Sequence, residues 1–370
     1  MNPWPLDPFS STLEPYSSMN ILIIQLLRLG DAVQILPIVH GLKERFPRAR
    51  IHVLASTLGK TIFDMEPLVA KTFVLRKELI SAQARCSRPV ELASALEMLR
   101  ADLAPLLDIQ WDWVVNFSFS FPSALAAFLL NPGRISGYAI NPQRQFFSKE
   151  KWFAHSLASF CRRPYSNFNW VDINKRIIDL PAVPGLPLLT VNPELTVQAR
   201  RHLEAIGFGG HPLIGIHPGA SNDIKTWPLP NFAEFGRLMI DRHDYRVLIL
   251  GGKDEIPSGM KLREMLGVKA HNLTGQTTLE QLKAYLKACT WLVGNDTGPI
   301  HLAAAVGTRT LALFFNSHFV ETGVYAAGHI ALHPDLPCFP CRGPARCAVK
   351  ECLKHIKPAT LEKLILSQDN

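Results

Sequence analysis

The chain lacks any run of about 18 uncharged apolar residues, so no membrane-spanning helix is expected. Its first 18 residues, MNPWPLDPFSSTLEPYSS, carry no Lys or Arg and no continuous apolar core. They read as a loose tail or upstream extension rather than a secretory signal. No G-x-G-x-x-G turn follows the first apolar run, which argues against a dinucleotide fingerprint. Zinc-finger, helix-turn-helix and RNA-module signatures are missing, and with them the usual marks of a nucleic-acid binder. Internal repeats and low-complexity tracts are absent too. The expectation left standing is a cytoplasmic protein.

At 370 residues the chain is long for one domain and comfortable for two. Its 47% hydrophobic and 19% charged residues are ordinary for a globular protein. The formal net charge of +8 favours anionic partners by long-range steering. The excess is uneven. Between Asn141 and Arg176 stand Arg144, Lys149, Lys151, Arg162, Arg163, Lys175 and Arg176, against only Glu150 and Asp172. Phe146, Phe147, Trp152, Phe153, Tyr165, Phe168 and Trp170 interleave with them. Such a stretch has the chemistry of a surface for nucleic acid, phosphorylated sugars or an anionic leaflet, or it is a solvated face with its rings turned inward.

Apolar runs alternate with amphipathic stretches, the pattern of β/α repetition around a parallel sheet. Strands are expected near 20–25, 51–55, 72–76 and 112–116, with helices near 32–46, 89–106, 121–130 and 151–161. The Pro/Gly-rich stretch LPAVPGLPLLTVNPE (180–194) interrupts this order and reads as a linker. Beyond it, strands are expected near 213–217, 246–250, 271–274, 290–294, 309–314 and 329–333. Helices near 194–206, 230–242, 256–266, 278–288 and 299–306 separate them. The organisation is then a tail (1–18), a first α/β domain (19–180), a linker (181–193) and a second α/β domain (194–370). Two such domains place a ligand in a cleft at the carboxyl ends of both sheets.

The segment VGNDTGPIHLAAAVGTRTLAL (293–313) is the most informative one. It reads as a strand end, a helix opening at Asp296-Thr297-Gly298-Pro299, and a second strand. Pro299 fits the first turn, where a missing N–H costs nothing. Asp296 and Thr297 are placed to cap free N–H groups. A helix start on the carboxyl edge of a strand is an anion site, and His301 falls about one turn in. The bland alternative is an ordinary capped helix with a satisfied histidine.

Three further blocks accompany it in order: ILIIQLLRLGDAVQILPIVHGLKERFPRARI (21–51), IGIHPGASNDIKTWP (214–228) and NLTGQTTLEQLKAYLKACTWLVGND (272–296). Together they resemble glycosyltransferase family 9, the bacterial heptosyltransferases of the lipopolysaccharide inner core, over residues 19–370. The resemblance implies a GT-B architecture, two Rossmann-like α/β domains facing a cleft, with a final helix (358–368) that crosses back to the first domain. It implies inverting transfer of heptose from ADP-heptose to a phosphorylated lipopolysaccharide core acceptor, with no metal required and no nucleic acid involved. The basic stretch 141–176 would then face the acceptor, at a peripheral contact with the anionic inner membrane.

Such transfer needs a base for the acceptor hydroxyl and positive potential for the departing diphosphate. Asp31, directly after Gly30 and the first strand, is the base the resemblance implies; on local grounds alone it is an N-cap for the following helix. The chain departs from the commoner family form with Gln25 where Arg is frequent and with apolar Leu27 in the turn. Gly219, Ser221 and Lys225 of the H-P-G-A-x-x-x-x-K block are the expected phosphate cradle. Asp296, Thr297, Gly298 and His301 approach the same diphosphate. Asp254 or Glu255 is the expected ribose contact.

Cys86, Cys161 and Cys289 are isolated, whereas Cys338, Cys341, Cys347 and Cys352 cluster as C-x2-C-x5-C-x4-C. Four thiolates so spaced suit a structural zinc or iron, with free thiols or disulfides as alternatives. The cluster resembles one found in iron-binding heptosyltransferases that modify adhesins. That keeps a protein O-heptosyltransferase open as a rival function, alongside a non-catalytic sugar-nucleotide binder of GT-B fold.

Overall fold

The computed structural model describes residues 18–77, 80, 88–143, 145–161, 167–180, 188–220, 226–341, 347 and 350–369. The chain divides into two compact units, Met1–Cys161 with Trp170–Gly185, and Arg162–Asn169 with Leu186–Asn370.

The first unit is built on five parallel strands in the order β3-β2-β1-β4-β5. These are β1 (Asn20–Gln25), β2 (Arg50–Ala55), β3 (Val69–Val74), β4 (Trp113–Asn116) and β5 (Arg134–Gly137). The ILII run of β1 is buried on both faces, as a central parallel strand between two helical layers requires. Helices Leu29–Arg45, Thr57–Phe63, Pro89–Leu107 and Phe121–Leu129 connect the strands. The chain order reverses between β1 and β4, so the crevice outside their carboxyl ends is the place for a ligand. A short hairpin follows, β6 (Ala139–Ile140) paired antiparallel with β7 (Phe146–Phe147), and then helices Lys151–Cys161 and Trp170–Ile177.

The second unit carries six parallel strands in the order β10-β9-β8-β11-β12-β13. They are β8 (Leu213–His217), β9 (Arg246–Ile249), β10 (Ala270–Asn272), β11 (Trp291–Asn295), β12 (Arg309–Leu313) and β13 (Ile330–Leu332). Here the reversal falls between β8 and β11. Both strands are wholly buried, and they end on His217 and Asn295. Gly294 pairs with His217 across them, and a Cβ on it would stand 2.8 Å from the His217 carbonyl. The missing side chain lets the two strand ends close up at the crevice.

Three expectations are corrected. The first helix begins at Leu29 rather than 32, with Arg28 at its N-cap, so Asp31 sits inside the first turn and is not the cap residue. The final helix, Pro358–Asp369, stays with the second unit and packs on the helix Leu229–His243. Leu361 and Ile365 join that unit's core, and Glu362 accepts from His243 Nε2 at 2.9 Å and from Arg242 at 3.3 Å. The third strand starts earlier than the pattern indicated, because exposed Ala70 and Lys71 hide its beginning. No described helix is long and apolar enough to cross a membrane.

Candidate functional site

The second unit gathers most of the expected donor residues at its reversal point. Helix Gly298–Ala305 opens directly after β11, with Thr297 at the N-cap and Pro299 in the first turn. Thr297 does not cap with its side chain. Its hydroxyl turns back to donate to the Asn295 carbonyl at 3.0 Å, so this hydroxyl leaves the first-turn N–H groups to other acceptors. Asp296 accepts from the Ser317 hydroxyl and lies 4.0 Å from His301 Nε2, while its N–H reaches the Leu313 carbonyl. The structure thus joins Asp296 and His301 as a pair, with the carboxylate facing the imidazole. His301 also depresses its neighbour His329, pushed down to about 4 mainly by burial and then by the His301 charge. His329 Nδ1 accepts from the Thr310 N–H and hydroxyl, consistent with a neutral ring.

On the other side of the reversal, β8 ends in His217-Pro218-Gly219-Ala220. Burial pushes His217 down, opposed by the Leu250 carbonyl and the Glu255 carboxylate. Its Nδ1–H donates to that carbonyl at 3.0 Å, which fixes the tautomer. Gly219 has no room for a side chain: a Cβ there would meet Glu255 Cγ at 2.4 Å and Oε1 at 2.5 Å. Glu255 is folded over this glycine, with Oε2 accepting the Gly252 N–H at 2.7 Å. Asp254 is exposed. Of the two acidic candidates after β9, it is Glu255 that lies against the H-P-G loop. Ser221 and Lys225 fall outside the described residues.

In the first unit, Asp31 Oδ2 accepts the Arg28 N–H at 2.9 Å, the return bond of a capping box, which orients the carboxylate at the carboxyl end of β1. The turn that presents it is tied down on three sides. Ser118 Oγ accepts the Leu26 N–H at 2.6 Å, and Gln25 Oε1 accepts the Leu27 N–H and the Ser118 hydroxyl at 3.3 Å each. The Ser56 hydroxyl donates to the Leu27 carbonyl at 3.0 Å. An arginine at position 25 has no acceptor to offer these donors, so the departure at Gln25 belongs to a differently held turn.

The basic, aromatic stretch is a ring cluster flanked by cations. Tyr138 stacks on Phe146 at 4.8 Å and Phe119 on Phe153 at 5.0 Å, while the Arg176 guanidinium lies 4.5 Å over Trp152. Phe121 and Phe146 remain 48% exposed beside exposed Lys149 and Lys151. Arg144, Arg162, Arg163 and Tyr165 fall outside the described residues. Among the cysteines, burial raises the Cys352 thiol first, and the charges of Cys341, Cys347 and Cys338 raise it further, so the four sulfurs are electrostatic neighbours. Among the described residues, no group of three or more His, Cys, Asp or Glu is arranged to hold a metal ion.

Sequence reasoning missed Asn295, Ser56 and Ser118, and marked Gln25 only as a departure from the family form. Ser56 alone carried a local signal, as a Ser directly before a helical stretch; it caps the Gly59 N–H at 3.1 Å.

Comparison with known proteins identifies the family and the fold. The profile of glycosyltransferase family 9 (heptosyltransferase) matches residues 105–351. Lipooligosaccharide heptosyltransferase 2 of Campylobacter jejuni is 27% identical over 351 residues, covering 92% of this chain and 95% of that protein. The family 9 glycosyltransferase of Veillonella parvula superposes with a TM-score of 0.77 at 18% identity, over 95% of this chain and 97% of its own. The Escherichia coli ADP-heptose LPS heptosyltransferase II does so with a TM-score of 0.68 at 19% identity, over 95% and 98%. The fold is that of the GT-B heptosyltransferases. With two thirds of its length matched by the family profile, the chain belongs to glycosyltransferase family 9 and is a glycosyltransferase.

Proposed function

We propose that this enzyme transfers heptose from ADP-heptose to a hydroxyl of the phosphorylated lipopolysaccharide inner core, with inversion. The observation that carries this reading is the gathering of the Gly298 helix start, the Gly219 loop and the Asp296–His301 pair at one reversal point of the second sheet. Such a place suits a nucleoside diphosphate, because backbone N–H groups and the helix dipole stabilise its negative charge without a metal. Ser221 and Lys225, which follow Gly219 in the sequence, would add a hydroxyl and an ammonium. Glu255 accepts from the ribose hydroxyls, and His301, whose Nε2 lies 4.0 Å from the Asp296 carboxylate, donates to phosphate or sugar.

In the reaction, the Asp31 carboxylate removes the acceptor hydroxyl proton as that oxygen bonds to the anomeric carbon. The bond from this carbon to the diphosphate oxygen breaks, and its electron pair leaves with ADP. The Arg28 N–H, donating to Oδ2 at 2.9 Å, orients this carboxylate for the transfer. The exposed Phe121, Phe146, Lys149 and Lys151 suit an amphipathic, anionic acceptor at the cytoplasmic face of the inner membrane. The four cysteines offer the donor chemistry of a structural zinc or iron, but the described residues do not set three of them in a ligating arrangement.

The test is a transfer assay with ADP-heptose and a heptose-deficient core oligosaccharide, followed by ADP release and the mass and anomeric configuration of the product. A heptosylated, inverted product supports the reading. Transfer to an adhesin polypeptide instead would assign the rival protein-modifying function. Tight ADP-heptose binding with no transfer to either acceptor would assign a binding protein.

A further inference from the structure

Asn295 is a buried amide that faces the H-P-G loop, and no expected role includes it. Its side chain is wholly buried at the end of β11. Nδ2 donates to the Pro218 carbonyl at 3.0 Å and to the Gly219 carbonyl at 3.1 Å. Oδ1 accepts the Trp227 N–H at 2.9 Å. Trp227 is itself fixed in the core, with its indole N–H on the Ile356 carbonyl at 3.3 Å. One side chain therefore holds both chain ends between which Ser221 and Lys225 lie in the sequence.

The two carbonyl contacts have a consequence for the neighbouring donors. In a planar trans peptide the C=O and N–H point in opposite directions. Drawing the Pro218 and Gly219 carbonyls onto Asn295 turns the N–H groups of Gly219 and Ala220 away from it. Both residues are partly exposed, and neither N–H has a partner among the described residues. Two successive N–H groups turned the same way offer an anion a pair of donors. Asn295 adjoins Asp296 and Thr297, so the same residue links this donor pair to the helix start at Gly298.

We infer that Asn295 is the positioning residue for the diphosphate end of the donor. It touches no substrate atom and acts through the peptide groups of Gly219 and Ala220. The inference rests on the proposed nucleoside-diphosphate reading of this site. Asn295→Asp is the informative change. It keeps the acceptor for Trp227 but sets a carboxylate oxygen against two carbonyls, which must turn away and take their N–H groups with them.

The experiment compares ADP and adenosine affinities of the full-length wild type and Asn295→Asp, with amide hydrogen exchange on both proteins. The expected result is an ADP affinity at least tenfold weaker and an adenosine affinity within about threefold. Exchange should quicken in peptides spanning 218–227 and stay unchanged in the β9 strand. A merely structural role predicts equal losses for both ligands, and that result, or unchanged affinity for both, overturns the inference. Where the wild type itself ignores ADP, the nucleotide reading fails. Exchange over 218–227 then decides whether Asn295 holds the loop, and no change there removes it. Asn295→Ser, which deletes the amide without adding charge, carries the same readouts if the aspartate variant does not fold.

Discussion

Substituting alanine for Gly219 asks whether the Glu255 carboxylate truly lies against the H-P-G loop. The new Cβ would stand 2.4 Å from Glu255 Cγ, where ordinary contact begins at 3.4 Å, so roughly an ångström of overlap must be relieved. The cheaper way is for the flexible Glu255 side chain to swing out, which breaks its 2.7 Å bond to the Gly252 N–H. A charge-assisted hydrogen bond is worth about 1.5–3 kcal/mol, and the half-exposed setting of Glu255 places it at the lower end. Gly219→Ala is therefore expected to cost about 1–2 kcal/mol in urea unfolding of the second unit. In a Glu255→Ala background all three nearest clashing atoms are gone. The same glycine substitution should then cost less than about 0.5 kcal/mol, a coupling of about 1 kcal/mol in the double-mutant cycle. An equal cost in both backgrounds would refute the contact and, with it, the preference for Glu255 over Asp254 as the ribose group.

Asp31→Ala should lower turnover by at least about a hundredfold, the usual scale for losing a general base, with donor affinity within a few fold. A near-normal rate would reduce Asp31 to the capping-box partner of Arg28. Lys225→Ala should weaken ADP binding by about 1.5–3 kcal/mol in calorimetry, and unchanged affinity would move the phosphate contact elsewhere. His329 resists protonation down to about 4 when folded, against 6.5 for the free side chain. Below pH 6.5 the unfolded chain thus takes up a proton that the native state refuses, and stability falls from there toward pH 4. At about 1.4 kcal/mol per unit the loss is at most about 3.5 kcal/mol. His329→Gln should flatten the pH dependence of urea midpoints in that window, and an unaltered slope would contradict the buried neutral ring.

Much of the fold was legible because parallel strands covered on both faces need uninterrupted apolar runs, as in ILII of β1 and LIGI of β8. Short elements were not. RISG of β5 carries a serine and a glycine in four residues, and the two-residue strands of the hairpin show no period at all. Helix Thr57–Phe63 contains a glycine in only two turns, and Trp170–Ile177 was concealed by its share of the basic residues. The D-T-G-P segment could be read because a helix start has a recognisable chemistry of caps and proline. Even so, Thr297 uses its hydroxyl on Asn295 rather than on the helix. Asn295 and Ser118 escaped notice because their work is long-range: each bonds backbone 68 to 92 residues away in sequence. A buried polar side chain shows its purpose only when its partners are in place.

The central claim is that an ADP-activated heptose occupies the second unit. Calorimetric titration with ADP-heptose, using UDP- and GDP-sugars as controls, tests it most directly. The account predicts saturable binding of ADP-heptose at least tenfold tighter than either control. Equal or stronger binding of a UDP- or GDP-sugar, or no binding of ADP-heptose, would contradict it.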